Sequence, residues 1–432
     1  MSANPLLLRN FNILSVSITT ADPENPNKKL GVQLDKSSVL QFEYREGIMN
    51  SFIQVTLQIA DTTNQLTDVL VGMETVELVV QDNLTGVKYE FTQNSMNGPL
   101  YVYQIHDKVV SDNVKVVVLE LCRKDALESA QQRICKKYNA IPAADLVREV
   151  LGGYLQTTKS YENVSPSLNK LTFIPPNSRP LDILVWARNK YVAKDQKTVA
   201  SGGGYASAGY FFWETYNGYN FLSMDSIPKK TPLPYTYSTG RGLGGEDEVY
   251  LLNTPKFPKA VNMMQDFDKG FYSGTIDFFD TVNCEVYSES YNLKENFPKW
   301  NKVAENNELP QLYNEVLDNR PTRTMSVSFN DDLFLEPGSE KNTDSKMLFK
   351  ETITQSVQRM GVFTNSILTA SIYGNMAINA GEILNIEFLD SNGQLDKTYS
   401  GRYVIFDLTH LYSSKEDKLN TQLTLVRDSF GA

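Results

Sequence analysis

The chain has 432 residues, more than one ordinary hydrophobic core accommodates, so two or three domains are expected. Hydrophobic residues make up 41% of it and charged residues 21%, which excludes a disordered chain. The formal net charge of −10 argues against a nucleic-acid binder that works by counterion release. Solubility is the simplest explanation of the acidity.

The cysteine pattern and the absence of long apolar runs limit the setting in which the protein works. Cys122, Cys135 and Cys284 cannot all pair and have no partner at metal-ligand spacing, which indicates free thiols in a reducing compartment. Residues 1–10 lack the basic region and the apolar run of a signal peptide. No run of about 18 apolar residues occurs, so the sequence predicts no membrane contact through a spanning helix.

The N-terminal part, residues 1–122, consists of short segments with the alternation of β-strands. Val55, Leu57 and Ile59, for example, alternate with polar residues in the segment 51–60. Five or more short strands in one block predict a small antiparallel barrel or sandwich. The predicted strands are 51–60, 76–80, 87–91, 101–105 and 114–121.

The middle part, residues 123–248, has the mixed pattern of an α/β domain. Pro142 begins a predicted helix that Gly152 and Gly153 end, and Ser178 is predicted to cap another helix. Two aromatic strands at 210–215 and 219–222, around Tyr216-Asn217-Gly218, predict a hairpin with at least one face in the core.

Strand patterns return in the C-terminal part of the chain. Residues 249–290 and 344–432 are interpreted as one β-rich unit that includes a helix at 344–360. The polar, weakly periodic and proline-containing residues 291–343 are interpreted as an insertion. The final predicted strands are 367–373, 383–388, 403–411 and 420–427.

Few residues suit catalysis. The two histidines, His106 and His410, lie far apart in the sequence, each at the end of an alternating strand, where a structural role is the usual one. We therefore predict no catalytic residue, no metal site and no cofactor. A glycosidase-like pair among the 51 Asp and Glu residues stays open as an alternative, although no pair stands out.

Two glycine-rich segments lack the context of a phosphate-binding loop. Residues 202–209 have no Lys-Ser or Lys-Thr after the glycines and precede a strand instead of a helix. Residues 240–245 follow a loop. Both are interpreted as flexible connections.

Two groups of motifs, one in the middle of the chain and one near its C-terminal end, keep a recognisable order. The motifs are SRPLDILVWAR at 178–188, GYFFWETYNGYNFLS at 209–223, TASIYGN at 369–375, AGE at 380–382, SGRYVI at 400–405, His410, and TQLTLVRDS at 421–429. This pattern, spread over roughly half of the chain, resembles the central hub proteins of the baseplates of contractile-tailed phages (myoviruses).

The resemblance implies an α+β, mostly β fold with two tube-type antiparallel β-barrel domains and an α/β domain between them. It implies a non-enzymatic homotrimer whose six barrels form a ring, adapting the sixfold tail tube to the threefold central spike. The implied partners are other copies of the chain, the central spike, the tail tube or tube-initiator protein, the tape-measure protein and the baseplate wedge proteins. The implied location is the virion tail, assembled in the host cytoplasm.

In such a ring, genomic DNA passes without specific binding, and a lumen lined with carboxylates is expected to repel it. Two alternatives remain open at this stage. One is the hub or spike component of a related contractile injection system. The other is a tail-associated cell-wall hydrolase, which a pair of carboxylates in a cleft distinguishes.

Overall fold

The computed structural model describes residues 10–21, 29–61, 66, 70–111, 114–194, 209–240, 249–258, 263–280, 284–303, 320–329, 353, 356–364 and 366–428. Strands β1 to β23 are Phe11–Ala21, Lys29–Gln33, Val39–Gly47, Gln54–Asp61, Thr75–Asp82, Lys88–Phe91, Leu100–Ser111, Val114–Arg123, Tyr138–Ile141, Ser160–Val164, Leu171–Phe173, Tyr210–Glu214, Gly218–Ser223, Thr236–Ser238, Val249–Leu251, Asn253–Lys256, Ser273–Asp280, Glu285–Asn292, Thr324–Phe329, Ser366–Tyr373, Ile383–Glu387, Gly401–Ser413 and Lys418–Arg427. Helices α1 to α5 are Lys124–Gln131, Ala143–Val147, Pro180–Ala187, Met263–Asp268 and Leu293–Asn296.

The N-terminal strands form a curled antiparallel row in the order β2, β1, β5, β7, β8, β4, β3. A flat row of this width measures about 29 Å. However, β2 and β3 stand at its two ends, and only residues 34–38 connect them. This connection reaches about 20 Å, so the row curls until its ends approach each other. Alternation places Val55, Leu57 and Ile59 inside the curl, where all three are buried.

Strand β22 joins the N-terminal row to the C-terminal strands. Its half from Asp407 to Ser413 pairs antiparallel with β3, and its opposite edge pairs with β23. The free edge of β3 is thus occupied by β22, so the N-terminal row continues into the C-terminal strands instead of closing on β2. The result is one continuous sheet of 15 strands.

The C-terminal strands follow a nearly complete circuit of pairings. From β14 it runs through β21, β22, β23 and β20 to β16. Strand β15, which pairs with β14, is separated from β16 only by Leu252. This part therefore has the curvature of a small barrel that is interrupted at Leu252, and the described pairings leave the N-terminal row open as well.

The predicted α+β, mostly β fold is confirmed. The hairpin predicted at 210–222 is the antiparallel pair β12 and β13. The domain limits stay a prediction. The hairpin of β17 and β18 lies in a separate three-stranded sheet with β19, and the limit predicted between residues 290 and 291 falls within β18.

Two helix ends differ from the prediction. The helix from Ala143 continues as a π-helix to Tyr154, through both glycines. Gly152 has a packing role there, because a Cβ at this position would stand 2.6 Å from the Tyr161 hydroxyl. Ser178 does not cap α3, since its backbone pairs with Ile134 and Arg179 is the N-cap. Residues 356–363 are helical, while 344–352 of the predicted helix lie outside the described residues.

Candidate functional site

The aromatic hairpin β12–β13 lies between two hydrophobic cores. Tyr210 and Phe212 belong to the core of the α/β part, whereas Phe211 and Trp213 belong to a core shared with the C-terminal strands. Phe212 and Trp213 are both fully buried. Because successive side chains of a strand point in opposite directions, one strand packs against both parts of the molecule. The predicted burial holds for both faces.

The end of this hairpin carries a buried carboxylate, Glu214, that connects the N-terminal row to the α/β part. Its Oε2 accepts the backbone N–H of Ile53 at 2.9 Å. Its Oε1 accepts from Arg123 Nη1 at 3.0 Å and from Lys159 Nζ at 2.9 Å. Lys159 also donates to the carbonyl of Thr215. Every partner is a donor, so the carboxylate is held in its charged form by strong, charge-assisted bonds.

Arg123 extends the network to a second carboxylate. Its Nη1 lies 3.0 Å from Asp125 Oδ2, and its Nε donates to the carbonyl of Asn97 at 2.7 Å. Asp125 also accepts the hydroxyls of Thr157 at 2.7 Å and Tyr219 at 3.0 Å. Two cations thus face two carboxylates in the interior, and hydrogen bonds satisfy the remaining acceptors.

A third buried carboxylate, Glu46, connects all three parts of the chain. Its Oε2 accepts from the Tyr44 hydroxyl at 2.9 Å and from the Tyr216 N–H of the hairpin turn at 3.2 Å. Its Oε1 accepts the Ala380 N–H of the C-terminal part at 2.8 Å. We call Glu46, Arg123, Asp125, Lys159 and Glu214 the charged junction.

Burial and charge set the protonation of the charged junction. Burial acts to raise the pKa of Glu214, but Lys159 and Arg123 outweigh it and leave this pKa below its ordinary value. Burial raises the pKa of Glu46 to about 7, although its three donors oppose the shift. Burial also lowers the pKa of Lys159 to about 8, in spite of the nearby Glu214. The desolvation of these groups is therefore only partly compensated.

The junction was not predicted from the sequence. Glu214 and Lys159 are single charged residues in segments without a recognisable catalytic motif. The one available signal was the carboxylate of Glu214, directly after the apolar run Tyr210–Trp213 of a predicted core strand. A charged residue in such a position is rarely buried unless it is paired. The junction lies inside the protein, where it connects different parts of the chain.

The two histidines lie on different strands of the large sheet, with β3, β4 and β8 between them. His106 Nε2 is 3.1 Å from Glu120 Oε1. His410 is fully buried, its Nδ1 is 2.8 Å from the Thr421 hydroxyl, and it packs against the ring of Tyr44. Burial lowers the pKa of His410 to about 3, so it is neutral at physiological pH.

The other candidates from the sequence are the cysteines and the glycine-rich segments. The three cysteines are free thiols, and burial raises the pKa of Cys122 to about 12. Of the glycine-rich segments, residues 202–208 and 241–245 lie outside the described residues. Within the described ranges, the acidic, histidine and cysteine side chains form no group suited to a metal ion. No helix in those ranges has the length and apolar character needed to cross a membrane.

No protein-family model matches the chain, and no curated protein matches it. Two crystal structures match it over almost their whole length. A tail protein from Neisseria meningitidis MC58 has a TM-score of 0.56 at 12% identity, with 98% of each chain covered. The 43 kDa tail protein of prophage MuSo2 from Shewanella oneidensis has a TM-score of 0.54 at 10% identity, with 97% of this chain and 99% of the other covered. The chain therefore has the fold of these two tail proteins, in agreement with its resemblance to baseplate hub proteins.

Proposed function

We propose that the chain is a structural protein of a contractile phage tail, the central hub of its baseplate. The observation that carries this proposal is the fold shared with the Neisseria tail protein over 98% of both chains. A fold by itself hosts many functions. The proposal therefore also depends on features of this chain that suit a load-bearing assembly component.

The first such feature is the similarity of the two β-rich parts. Each contains one long antiparallel hairpin of similar size: β7 and β8 have 12 and 10 residues, and β22 and β23 have 13 and 10. Each part curls around an apolar interior. Three copies then present six similar units in a ring, which adapts a sixfold tail tube to a threefold spike.

The second feature is the way the parts are fixed to one another. The sheet is continuous across β3 and β22, the aromatic hairpin packs against two cores, and the charged junction connects all three parts. Such connections resist relative movement of the parts under load. A component between tube and spike needs this rigidity, because force during tail contraction passes through it.

In this role the chain assembles with itself as a homotrimer and contacts the spike, the tail tube or tube initiator, the tape-measure protein and the wedge proteins. Genomic DNA passes through the ring without specific binding, and the protein is located in the virion tail. The role is non-catalytic. In support, the buried carboxylates of Glu46 and Glu214 serve as acceptors for structural donors.

The test of this function is the mass and shape of the purified protein. Light scattering is expected to give three times the chain mass of 48.7 kDa, and electron microscopy a ring with a central channel. A monomer that persists when the spike protein is added would contradict the hub proposal. Detection of the chain in DNA-filled particles, rather than in DNA-free injection devices, distinguishes a phage tail from a related contractile system.

Catalysis is tested separately on the same preparation. Incubation with peptidoglycan and common polysaccharides is expected to give no turnover. Turnover that disappears on replacement of one Asp or Glu, with folding intact, would overturn the non-catalytic role.

A further inference from the structure

Asp407 lies at an irregularity of the sheet where β22 changes its partner strand. The register between β22 and β23 shifts between Ile405 and Asp407. On the other edge, β22 pairs with β21 up to Val404 and with β3 from Asp407 onward. Bulges of this kind re-aim side chains and are frequent beside functional sites. The Asp407 side chain thus lies directly beside this irregularity.

The Asp407 carboxylate lies across Gly47, its partner residue on β3. A Cβ at position 47 would stand only 1.8 Å from Asp407 Oδ1. Gly47 does not have a positive φ, so its backbone conformation is open to other residues. Space for the carboxylate, and not backbone conformation, therefore requires glycine at this position.

This half-buried carboxylate has no hydrogen bond or ion pair with any described residue. Burial raises the pKa of Asp407. A carboxylate that is partly desolvated without compensation costs stability. A cationic group of a partner that pairs with this carboxylate offsets the destabilisation. Asp407 is therefore a suitable binding point for such a group.

Asp407 lines a polar groove of about 330 Å³ on the outer face of the sheet. The groove crosses β16, β20, β23 and β22, a distance of about 14 Å, which matches about four residues of extended peptide. Hydroxyl and amide groups dominate its lining. Besides Asp407, the polar lining includes Lys256, Thr369, Ser371, Thr409, Gln422 and Thr424.

We propose that this groove binds an extended segment of an adjoining tail protein through an arginine side chain that pairs with Asp407. A guanidinium group has five N–H donors, which match one carboxylate together with neighbouring hydroxyl and amide oxygens. A bound metal ion suits the groove less well, because the described lining of the groove offers a single carboxylate, whereas Ca²⁺ and similar ions take several oxygen ligands. The inference rests on the proposed function, since an assembly component has a partner that covers this face.

The experiment compares two short fluorescein-labelled peptides of serine and threonine, one with a central arginine and one with a central glutamine. Fluorescence anisotropy with the full-length protein is expected to show about tenfold tighter binding of the arginine peptide, the usual worth of one charge-assisted contact. Asp407→Asn is expected to abolish this difference. Glu416→Gln, which removes an exposed carboxylate at the β22–β23 turn, is the matched control and is expected to retain it. Equal binding of both peptides by the wild type, or a preference unchanged in Asp407→Asn, would overturn the proposal.

Thermal unfolding separates binding from a structural role. Asp407→Asn is expected to leave the melting temperature unchanged or to raise it, because it removes an uncompensated charge. A clearly lowered melting temperature together with lost binding would assign Asp407 to the fold instead. If Asp407→Asn converts a wild-type trimer to monomers, the arginine comes from a second copy and the assignment to an adjoining protein is wrong. If the wild type is a monomer but prefers the arginine peptide through Asp407, the groove is confirmed as a binding site and the hub proposal is wrong.

Discussion

Glu46 and Trp213 form hydrogen bonds with the two backbone polar groups of the same residue, Ala380. The Glu46 carboxylate accepts the N–H of Ala380 at 2.8 Å, and the Trp213 indole N–H donates to its carbonyl at 3.1 Å. Glu46 belongs to the N-terminal row, Trp213 to the aromatic hairpin and Ala380 to the C-terminal part. One turn of the C-terminal part is therefore fixed from two directions by the other two parts of the chain.

Replacement of the aromatic rings of the β12–β13 hairpin is expected to lower the stability of the protein strongly. Phe212→Ala and Trp213→Ala each remove a fully buried aromatic side chain and are expected to lower the free energy of unfolding by about 3–5 kcal/mol. Trp186→Ala is the control, because this side chain is 41% exposed and its loss is expected to cost clearly less. Chemical denaturation measures all three. Native-like stability of both hairpin variants with lost assembly would instead indicate a partner-binding surface.

Gly381 is expected to tolerate no side chain. Its φ is +82°, a conformation that favours glycine, and a Cβ would stand 2.5 Å from the Trp213 ring. Gly381→Ala is therefore expected to destabilise the fold by about 1–3 kcal/mol. Gly393→Ala is the matched control, since Gly393 also has a positive φ but has open space around its Cβ position. Equal losses in the two variants would mean that backbone strain, and not the contact with Trp213, limits position 381.

Removal of one partner of the charged junction is expected to be costly, and the effects of removing two paired partners are not expected to add. Lys159→Met leaves Glu214 with less compensation and is expected to cost about 3–5 kcal/mol. Lys159→Met with Glu214→Gln is expected to cost less than the sum of the single changes. Lys136→Met breaks the half-exposed pair with Glu149 and is expected to cost less than about 1 kcal/mol. Simple additivity in the double variant would contradict the coupling.

Glu46 is expected to contribute more stability in mild acid than at neutral pH. Its folded-state pKa of about 7 exceeds the ordinary value of 4.5, so the folded protein holds the proton more tightly than the unfolded chain. This contribution is full below about pH 4.5 and is lost as the pH rises through about 7. Glu46→Gln cannot titrate and is expected to remove this part of the slope in denaturation measured from pH 4.5 to 8. An unchanged slope in the variant would assign the effect to another group.

His410 is expected to act in the opposite direction. Its folded-state pKa of about 3 lies below the ordinary 6.5, so the stability that it contributes is full above pH 6.5 and is lost as the pH falls towards 3. His410→Gln is expected to flatten the acid side of the stability profile, relative to a wild-type profile in the same buffers. The partly exposed His106 provides the control, and His106→Gln is expected to keep the acid-side loss.

The sequence determined the elements whose patterns are local. Alternation in β4 and β5 and the aromatic hairpin were predictable, because burial of one strand face leaves a period of two. The order of motifs from Ser178 to Ser429 indicated the tail-protein fold, which the comparison with solved structures confirms.

Only the tertiary structure decided how these elements meet. The sequence does not indicate that β22 pairs with β3, because strand partners distant in the chain are selected by packing and not by local pattern. The same holds for Glu46, Lys159 and Glu214. A charged residue is stable in the interior only if it is paired there. The counter-charge of Glu214 on Lys159 lies 55 residues away in the sequence, and the Ala380 donor of Glu46 lies 334 residues away.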